Sequence, residues 1–407
     1  MSTEIIQKEN ITSEKEVNDS IIETKNSEKS QLANQGHTNS LEKYRFFIFS
    51  YGAFFLIILI LCIIALIITG ARPCVHTKCH ENAKCINHPF YAECICDYGF
   101  PGNGRDHCDE CGITYYKNNA DEDGQRANPY SWPATAIIEY TYTALVKLEA
   151  SRVLLYDQGM CGGVLINRKH ILTSANCIKE QIETYDYISG NLIKINVTLN
   201  NFHPSLDSIY NIYMGTDEYV YYFADLPHVV VEDFDKVIIH PEYNRKTLEN
   251  NLAILKLNNE ADLNRYVQIT CLPNATSSNI PDVYMGHNSL YIAGYSSSGS
   301  SYTTYAMQNL ILDMYNTSMC STVQPNNTKN WDGQFCAGEY NTYGNTSGVC
   351  HGDYGSALYT PYEVNGIIKY VTTGILSYDV PCSTLHSPAV YTRISYYLDW
   401  ILENTKY

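Results

Sequence analysis

Residues 161 to 177 read Cys161-Gly162-Gly163-Val-Leu-Ile166-Asn-Arg-Lys-His170-Ile-Leu172-Thr-Ser-Ala-Asn176-Cys177. A cysteine closes each end of the stretch, and cysteine use is the first guide to the whole chain. Of fifteen cysteines in 407 residues, only Cys62 precedes residue 74. The fourteen that follow form an even, dense set, which implies a disulfide framework in an oxidising compartment. The length allows a sizeable core and more than one unit. With 27 basic and 43 acidic residues the formal charge is -16, which argues against nucleic acid or anionic lipid as the main partner. Tyrosine is abundant at 36 residues, and Tyr219 to Phe223 is almost wholly aromatic; such a run suits a strand face or a recognition surface.

Upstream of the cysteines the composition changes twice. Residues 1–45 are rich in Glu, Lys, Asn and Ser, with no aromatic before Tyr44. They bury too little to offset ordering entropy and are expected to be a disordered cytoplasmic tail. Residues 46–69 are an uncharged run of Ile, Leu and Phe. At about 1.5 Å per residue this run can cross the roughly 30 Å hydrocarbon core, and it is too long and too far from the start for a cleaved signal. Lys43 and Arg45 on one side nearly balance Arg72 and Lys78 on the other, so flanking charge barely sets orientation. Cysteine asymmetry sets it: the C-terminal side is lumenal or extracellular. The expectation is a single-pass type II protein of the cell membrane, with Cys62 packed as a small hydrophobe. Sequons at Asn196, Asn274, Asn316, Asn326 and Asn345 are expected to carry glycans, whereas Asn10 and Asn18 lie on the other side.

Cys74, Cys79, Cys85, Cys94, Cys96 and Cys108 are followed or interleaved by Gly99, Gly102 and Gly104. Six cysteines alone allow fifteen pairings. The spacing and turn glycines together, over residues 74–108, resemble an EGF-like domain, and that resemblance implies Cys74–Cys85, Cys79–Cys94 and Cys96–Cys108. Calcium-binding members carry acidic residues before the first cysteine, where this chain has Ala71-Arg72-Pro73, so no calcium is expected. The module is read as a spacer or as a receptor or adhesion contact.

A pro-region-like linker, 109–130, leads to a domain over 131–407. There the chain resembles the trypsin and chymotrypsin family, on Ser131-Trp132-Pro133, Cys161-Gly162-Gly163, His240-Pro241, Cys271-Leu-Pro273, Gly294-Tyr295, Phe335-Cys336-Ala-Gly338, Gly374-Ile-Leu-Ser377, Ala389-Val-Tyr-Thr392 and Tyr397-Leu-Asp-Trp400-Ile401. The resemblance implies a mostly β fold of two six-stranded antiparallel barrels with a C-terminal helix. It implies the pairs Cys161–Cys177, Cys320–Cys336, Cys350–Cys382 and Cys111–Cys271, and it places Leu290 and Thr360 at the ends of a bridge this chain lacks. Alternation such as Val229 to Ile239 agrees with a β-rich domain.

The same resemblance puts histidine, aspartate and serine where this chain has Asn176, Asn251 and Tyr354. An amide is no base near neutrality, a neutral Asn251 cannot stabilise an imidazolium, and a phenol has a pKa of about 10 on a ring too large for the nucleophile's place. No catalytic residue is assigned. His351 and His170 lie near these loops but are read as ordinary histidines. Gly352, with the amide of Tyr354, marks a remnant oxyanion hole. The specificity pocket is read as Gly348 at its base, Tyr378 and Asp379 on its wall, and Ala389 narrowing it. Ala120-Asp121-Glu122-Asp123 stands where an activation site would lie, Asp353 has no new terminus to meet, and a terminus made by cutting after Arg126 would be too short. Cys177 to Gly215 spans an insertion carrying Asn196, read as a glycosylated loop or a recognition loop.

These readings converge on a membrane-anchored, catalytically inactive homologue of such proteases, acting through an extracellular protein partner and needing no cofactor or metal. Two alternatives differ from it in class. One is an endopeptidase using unrecognised residues; the other is an adhesion or receptor protein working through residues 74–108, with the larger domain as scaffold.

Overall fold

The computed structural model describes residues 51–65, 73–97, 100–117, 126–148, 151–186, 190–197, 209–218, 228–273, 288–295, 306–320, 329–338, 354–364, 366–378 and 388–406. The expected tail, the Tyr219 to Phe223 run, the Cys350–Cys382 pair and the sequons Asn274, Asn326 and Asn345 lie outside these residues. The chain divides into two compact units, one of 1–77 with 86–93 and one of 78–85 with 94–407.

In the first unit, residues 51–65 form an exposed apolar helix. Among the described residues no helix is long and apolar enough to cross a membrane; the rest of the 46–69 run lies outside them. Strands β1 (Ala83–Asn87) and β2 (Ala92–Cys96) form a two-stranded sheet.

The second unit holds the rest of the cysteine-rich module and the large domain. Cys79–Cys94 and Cys96–Cys108 are bridged as expected, and Cys74 and Cys85 are also disulfide-bonded. Gly104, at φ +74°, lies so close to the Cys94 carbonyl that a Cβ would sit 2.1 Å from its oxygen, so this turn needs glycine. The module is fastened to the large domain by charge. Arg168 grips Asp109 with two bonds of 2.8 and 2.7 Å. Lys369 lies 2.7 Å from Glu110 and 5.9 Å from the centre of the Phe100 ring.

Among the described residues the large domain holds fifteen strands in two sheets. Strands β12 (Asn288–Gly294), β13 (Gln308–Met314), β14 (Gln334–Gly338), β15 (Ala357–Val364), β16 (Ile367–Tyr378) and β17 (Ala389–Arg393) close as a six-stranded antiparallel barrel. Its inside is filled by Leu290, Ile292, Leu310, Leu312, Phe335, Leu358, Leu376 and Tyr391. The other half is a nine-stranded sheet: β3 (Thr135–Leu148), β4 (Ser151–Asn167), β5 (His170–Thr173), β6 (Gln181–Asp186), β7 (Asn191–Asn196), β8 (Tyr210–Met214), β9 (Val230–Glu232), β10 (Phe234–Ile239) and β11 (Ala253–Leu257). This corrects the expectation of six strands there. Part of the Cys177 to Gly215 insertion is the β6–β7 hairpin rather than a loop, and it joins the sheet where Ala144 pairs Thr184. The Val229 to Ile239 stretch is also split, into β9 and β10 at Asp233.

A second apolar cluster lies between the sheets, with Trp132, Ile137, Val164, Leu172 and Ile254 meeting Ala293, Tyr359, Ile375 and Tyr397. The C-terminal helix α2 (Leu398–Asn404) seals it with Ile401. Among the described residues three disulfides brace the domain: Cys161–Cys177, Cys320–Cys336 and Cys111–Cys271. Leu290 and Thr360, the two ends of the missing bridge, are both buried. Of the expected sequons, Asn196 ends β7, and Asn316 is exposed with its Oδ1 accepting from the Ser318 N–H at 3.1 Å.

Two measurements probe this frame. Cys111 and Cys271 close a loop across 160 residues of sequence, so replacing both with alanine is expected to lower stability by about 3–5 kcal/mol in denaturant titrations. His170 is 1% exposed on β5, and burial, aided by Lys256 and Lys169, lowers its pKa to about 4. The fold therefore favours the neutral ring: its contribution is complete above the unfolded value near 6.5 and is lost as pH falls towards 4. His170→Gln should flatten the stability profile between those pH values, where the wild type loses on the order of 3 kcal/mol; an unchanged slope would remove His170 as the cause.

Candidate functional site

The three positions singled out in the sequence meet at the seam between the two sheets. Asn176 lies in the 3-10 turn Ala175–Cys177 that follows β5, and the Cys161–Cys177 bridge holds this turn against β4. Asn251 directly precedes β11, which pairs β5, so the two loops leave the same end of adjacent strands. Tyr354 enters the barrel just ahead of β15. Leu248 and Asn250, on the approach to Asn251, have positive φ values of 55° and 52°. Neither is glycine, so the loop carries strain that its bonds must hold. Those bonds run from Asn250 Nδ2 to the Glu242 carbonyl at 2.9 Å and from the Tyr397 hydroxyl to Asn250 Oδ1 at 2.8 Å.

Asn251 is 1% exposed, and its amide is fully engaged. Its Oδ1 accepts the backbone N–H of Asn176 at 2.9 Å. Its Nδ2 donates to the Ser377 hydroxyl at 2.7 Å, to the Ser377 carbonyl at 3.3 Å and to Asn176 Oδ1 at 3.2 Å. Asn176 Nδ2 in turn donates to the Ser377 carbonyl at 3.2 Å, and the Asn251 carbonyl accepts from the Thr392 hydroxyl at 3.1 Å. Two neutral amides and a serine thus form a closed network across the seam. None of these groups takes up or releases a proton near neutrality.

Tyr354 is half-buried, and its ring packs against apolar clusters of both sheets. Its carbonyl accepts the Gly162 N–H at 2.8 Å. Two glycines permit that approach. A Cβ on Gly162 would lie 2.1 Å from Ser356 Oγ, and one on Gly355, at φ +84°, would lie 2.2 Å from Thr173 Oγ1. The glycines of the Cys161 and Cys350 stretches are therefore needed for packing, independently of any chemistry.

The pocket side of the seam is lined by tyrosine. Tyr378 and Ala389 are buried. Tyr378 packs with Tyr315, Val390, Cys320 and Cys336, and partly buried Leu248 and Trp331 lie against the same cluster. Burial drives the Tyr378 phenol far above its ordinary pKa, so it stays protonated, and Lys329 sits 5.6 Å from its ring centre. Burial also lowers the pKa of Lys329. Gly348, Gly352 and Asp379, with His351 and Asp353, lie outside the described residues. His170 sits at the start of β5, against Asn167 at 2.9 Å, with the whole strand between it and the Asn176 turn. The sequence reading missed Ser377. It was quoted only as one of the marks of resemblance, yet it receives bonds from both amides; nothing in its local pattern distinguishes it from a strand residue.

Ala120 to Asp123, the stretch expected in place of an activation site, lie outside the described residues; the residues just beyond them are tied down. Ala127 is buried and donates its N–H to the Met307 carbonyl at 2.8 Å, while Arg126 pairs in a bridge with Gln308. The Arg126 guanidinium reaches Glu218 and lies 3.8 Å from Asp217. As for metals, the Sγ atoms of Cys79, Cys85 and Cys94 gather within 4.8 Å of one another, but all three are in disulfides and offer no thiolate.

Comparison with known proteins gives the arrangement a family. The family model for trypsin matches residues 122–401. A trypsin of Xenopus laevis is 31% identical over 244 residues, covering 59% of this chain and 79% of that protein. Melanization protease 1 of Drosophila melanogaster is 27% identical over 289 residues, or 70% of this chain, and the CLIP domain-containing serine protease B9 of Anopheles gambiae is 26% identical over 301 residues, or 73%. This chain spans 65% of the length of each of those two insect proteins. The match to the trypsin family model from residue 122 to residue 401 places the chain in the trypsin family of serine proteases.

Proposed function

We propose that this chain is a membrane-anchored member of the trypsin family that does not cut peptides and acts by binding an extracellular protein. The observation that carries the reading is the amide network. At the two positions where a proton must be taken up and an imidazolium steadied, Asn176 and Asn251 hold each other and Ser377 through neutral hydrogen bonds. At the third, a half-buried phenol ring fills the space that a scissile carbonyl would have to enter. Triad members act as a unit, so the loss of one already removes most of the rate. The anchored residues Arg126 and Ala127 agree with a chain that stays in its uncut form.

In this reading the apolar run at 46–69 is a signal anchor, residues 74–108 are an EGF-like domain, and the glycosylated ectodomain faces outward. The β6–β7 hairpin adds exposed strand surface to the domain, with Leu192 47% exposed. Surface additions on a rigid frame are where recognition is commonly built.

A fluorophosphonate probe applied to the purified protein should leave no label, and robust labelling would overturn the reading. If the two amides now serve structure, Asn251→Leu strands the Asn176 N–H and the Ser377 hydroxyl, and should cost about 2 kcal/mol or more in chemical denaturation. Wild-type stability of that variant would show the network to be dispensable. Proximity labelling at the cell surface should lose its main neighbours when residues 112–407 are removed; their persistence would move the binding role to residues 74–108.

A further inference from the structure

The tip of the β1–β2 hairpin carries apolar surface without a protein cover among the described residues. Phe90 is 93% exposed, Val75 71%, Tyr91 58% and Ile86 43%. The tip is nevertheless well built. The His88 N–H donates to the Tyr91 carbonyl at 2.9 Å, the His88 ring stacks on Tyr91 with centroids 4.4 Å apart, and His88 Nε2 lies 2.8 Å from Glu93. These contacts fix Tyr91 and leave Phe90 at the apex. An ordered turn that displays a phenylalanine almost wholly to solvent calls for an occupant.

The chain itself points to one. The apolar run ends at Thr69, and the Cys74 N–H is bonded to Asn87 Oδ1 at 2.9 Å, at the base of the tip. Five residues span at most about 18 Å, and the three from Asn87 to Phe90 about 10 Å more. The aromatic tip is therefore tethered within about 30 Å of the end of the run, on the side where a polar interfacial layer begins. Charge agrees. In a chain of net charge -16, residues 71–93 hold Arg72, Lys78 and Lys84 against Glu81 and Glu93. Aromatic rings flanked by basic groups settle at the headgroup level of a bilayer.

We infer that Phe90 and Tyr91, with Val75 and Ile86, dock the cysteine-rich module into the headgroup region of the leaflet that its own apolar run enters. This rests on the reading of 46–69 as a membrane anchor. The occupant is a phosphatidylcholine-type surface, and the docking seats the module on the bilayer.

The test reconstitutes the full chain, as wild type and as Phe90→Trp, into phosphatidylcholine vesicles with and without bromine at shallow acyl positions. The emission that Phe90→Trp adds over the wild type should be blue-shifted and fall about twofold in the brominated vesicles. Added emission that bromine leaves unchanged, from a chain that still resists alkaline extraction, overturns the docking and leaves the anchor standing. Release of the chain by alkaline extraction overturns the anchor itself. A blue shift without quenching assigns the tip to a second copy or another protein, and overturns the lipid occupant.

Discussion

The amide of Asn251, buried at 1% exposure and shared between Asn176 and Ser377, is the constraint around which the seam is arranged. Asn251 stands before β11 in one sheet, and Ser377 lies in β16 of the barrel. An amide can accept on one side and donate on the other, and all three roles it fills here use that property. A carboxylate at the same place would accept the Asn176 N–H but would face the Ser377 carbonyl and Asn176 Oδ1 with no proton to offer, in a setting where desolvation makes such a mismatch costly. Asn176 and Asn251 are therefore matched to each other. Each satisfies polar groups that the other presents.

Around that knot the loops retain their shape for reasons of packing. Gly162 and Gly355 let the Tyr354 turn lie directly on β4, and the Tyr354 carbonyl joins the ladder through the Gly162 N–H. Tyr354 then uses its ring as core, touching clusters on both sides of the seam. The buried cluster of Tyr315, Cys320, Cys336, Tyr378 and Val390 supplies part of the apolar surface against which the ring packs.

Much of this was legible in the sequence because covalent and steric constraints leave local marks. The pairs that the two resemblances imply, Cys79–Cys94, Cys96–Cys108, Cys111–Cys271, Cys161–Cys177 and Cys320–Cys336, are the pairs found. The motifs around Asn176, Asn251 and Tyr354 foretold that the three would converge. The misses concern features set by distant partners. Ser377 is one residue of a buried strand, and its role exists only because two amides from the other sheet reach it. The β6–β7 hairpin hid in an insertion because its strands alternate weakly, with Leu192 and Ile193 adjacent, and its register depends on Thr184 meeting β3. The split at Asp233 likewise depends on the pairing of β9 with β8 and of β10 with β11. The charged clamp at Asp109 and Glu110 joins residues 59 or more positions apart in sequence, and no short pattern announces it.

That clamp has a topological consequence. Among the described disulfides none links the module to the large domain, and Cys111 belongs to the domain through Cys271. A cut anywhere in 118–125 would thus yield two chains that still travel as one molecule. Only the short stretch between Cys108 and Cys111 connects module and domain covalently, and its two residues are Asp109 and Glu110. Arg168 and Lys369 hold down the side chains of the very peptide whose scission would set the domain free.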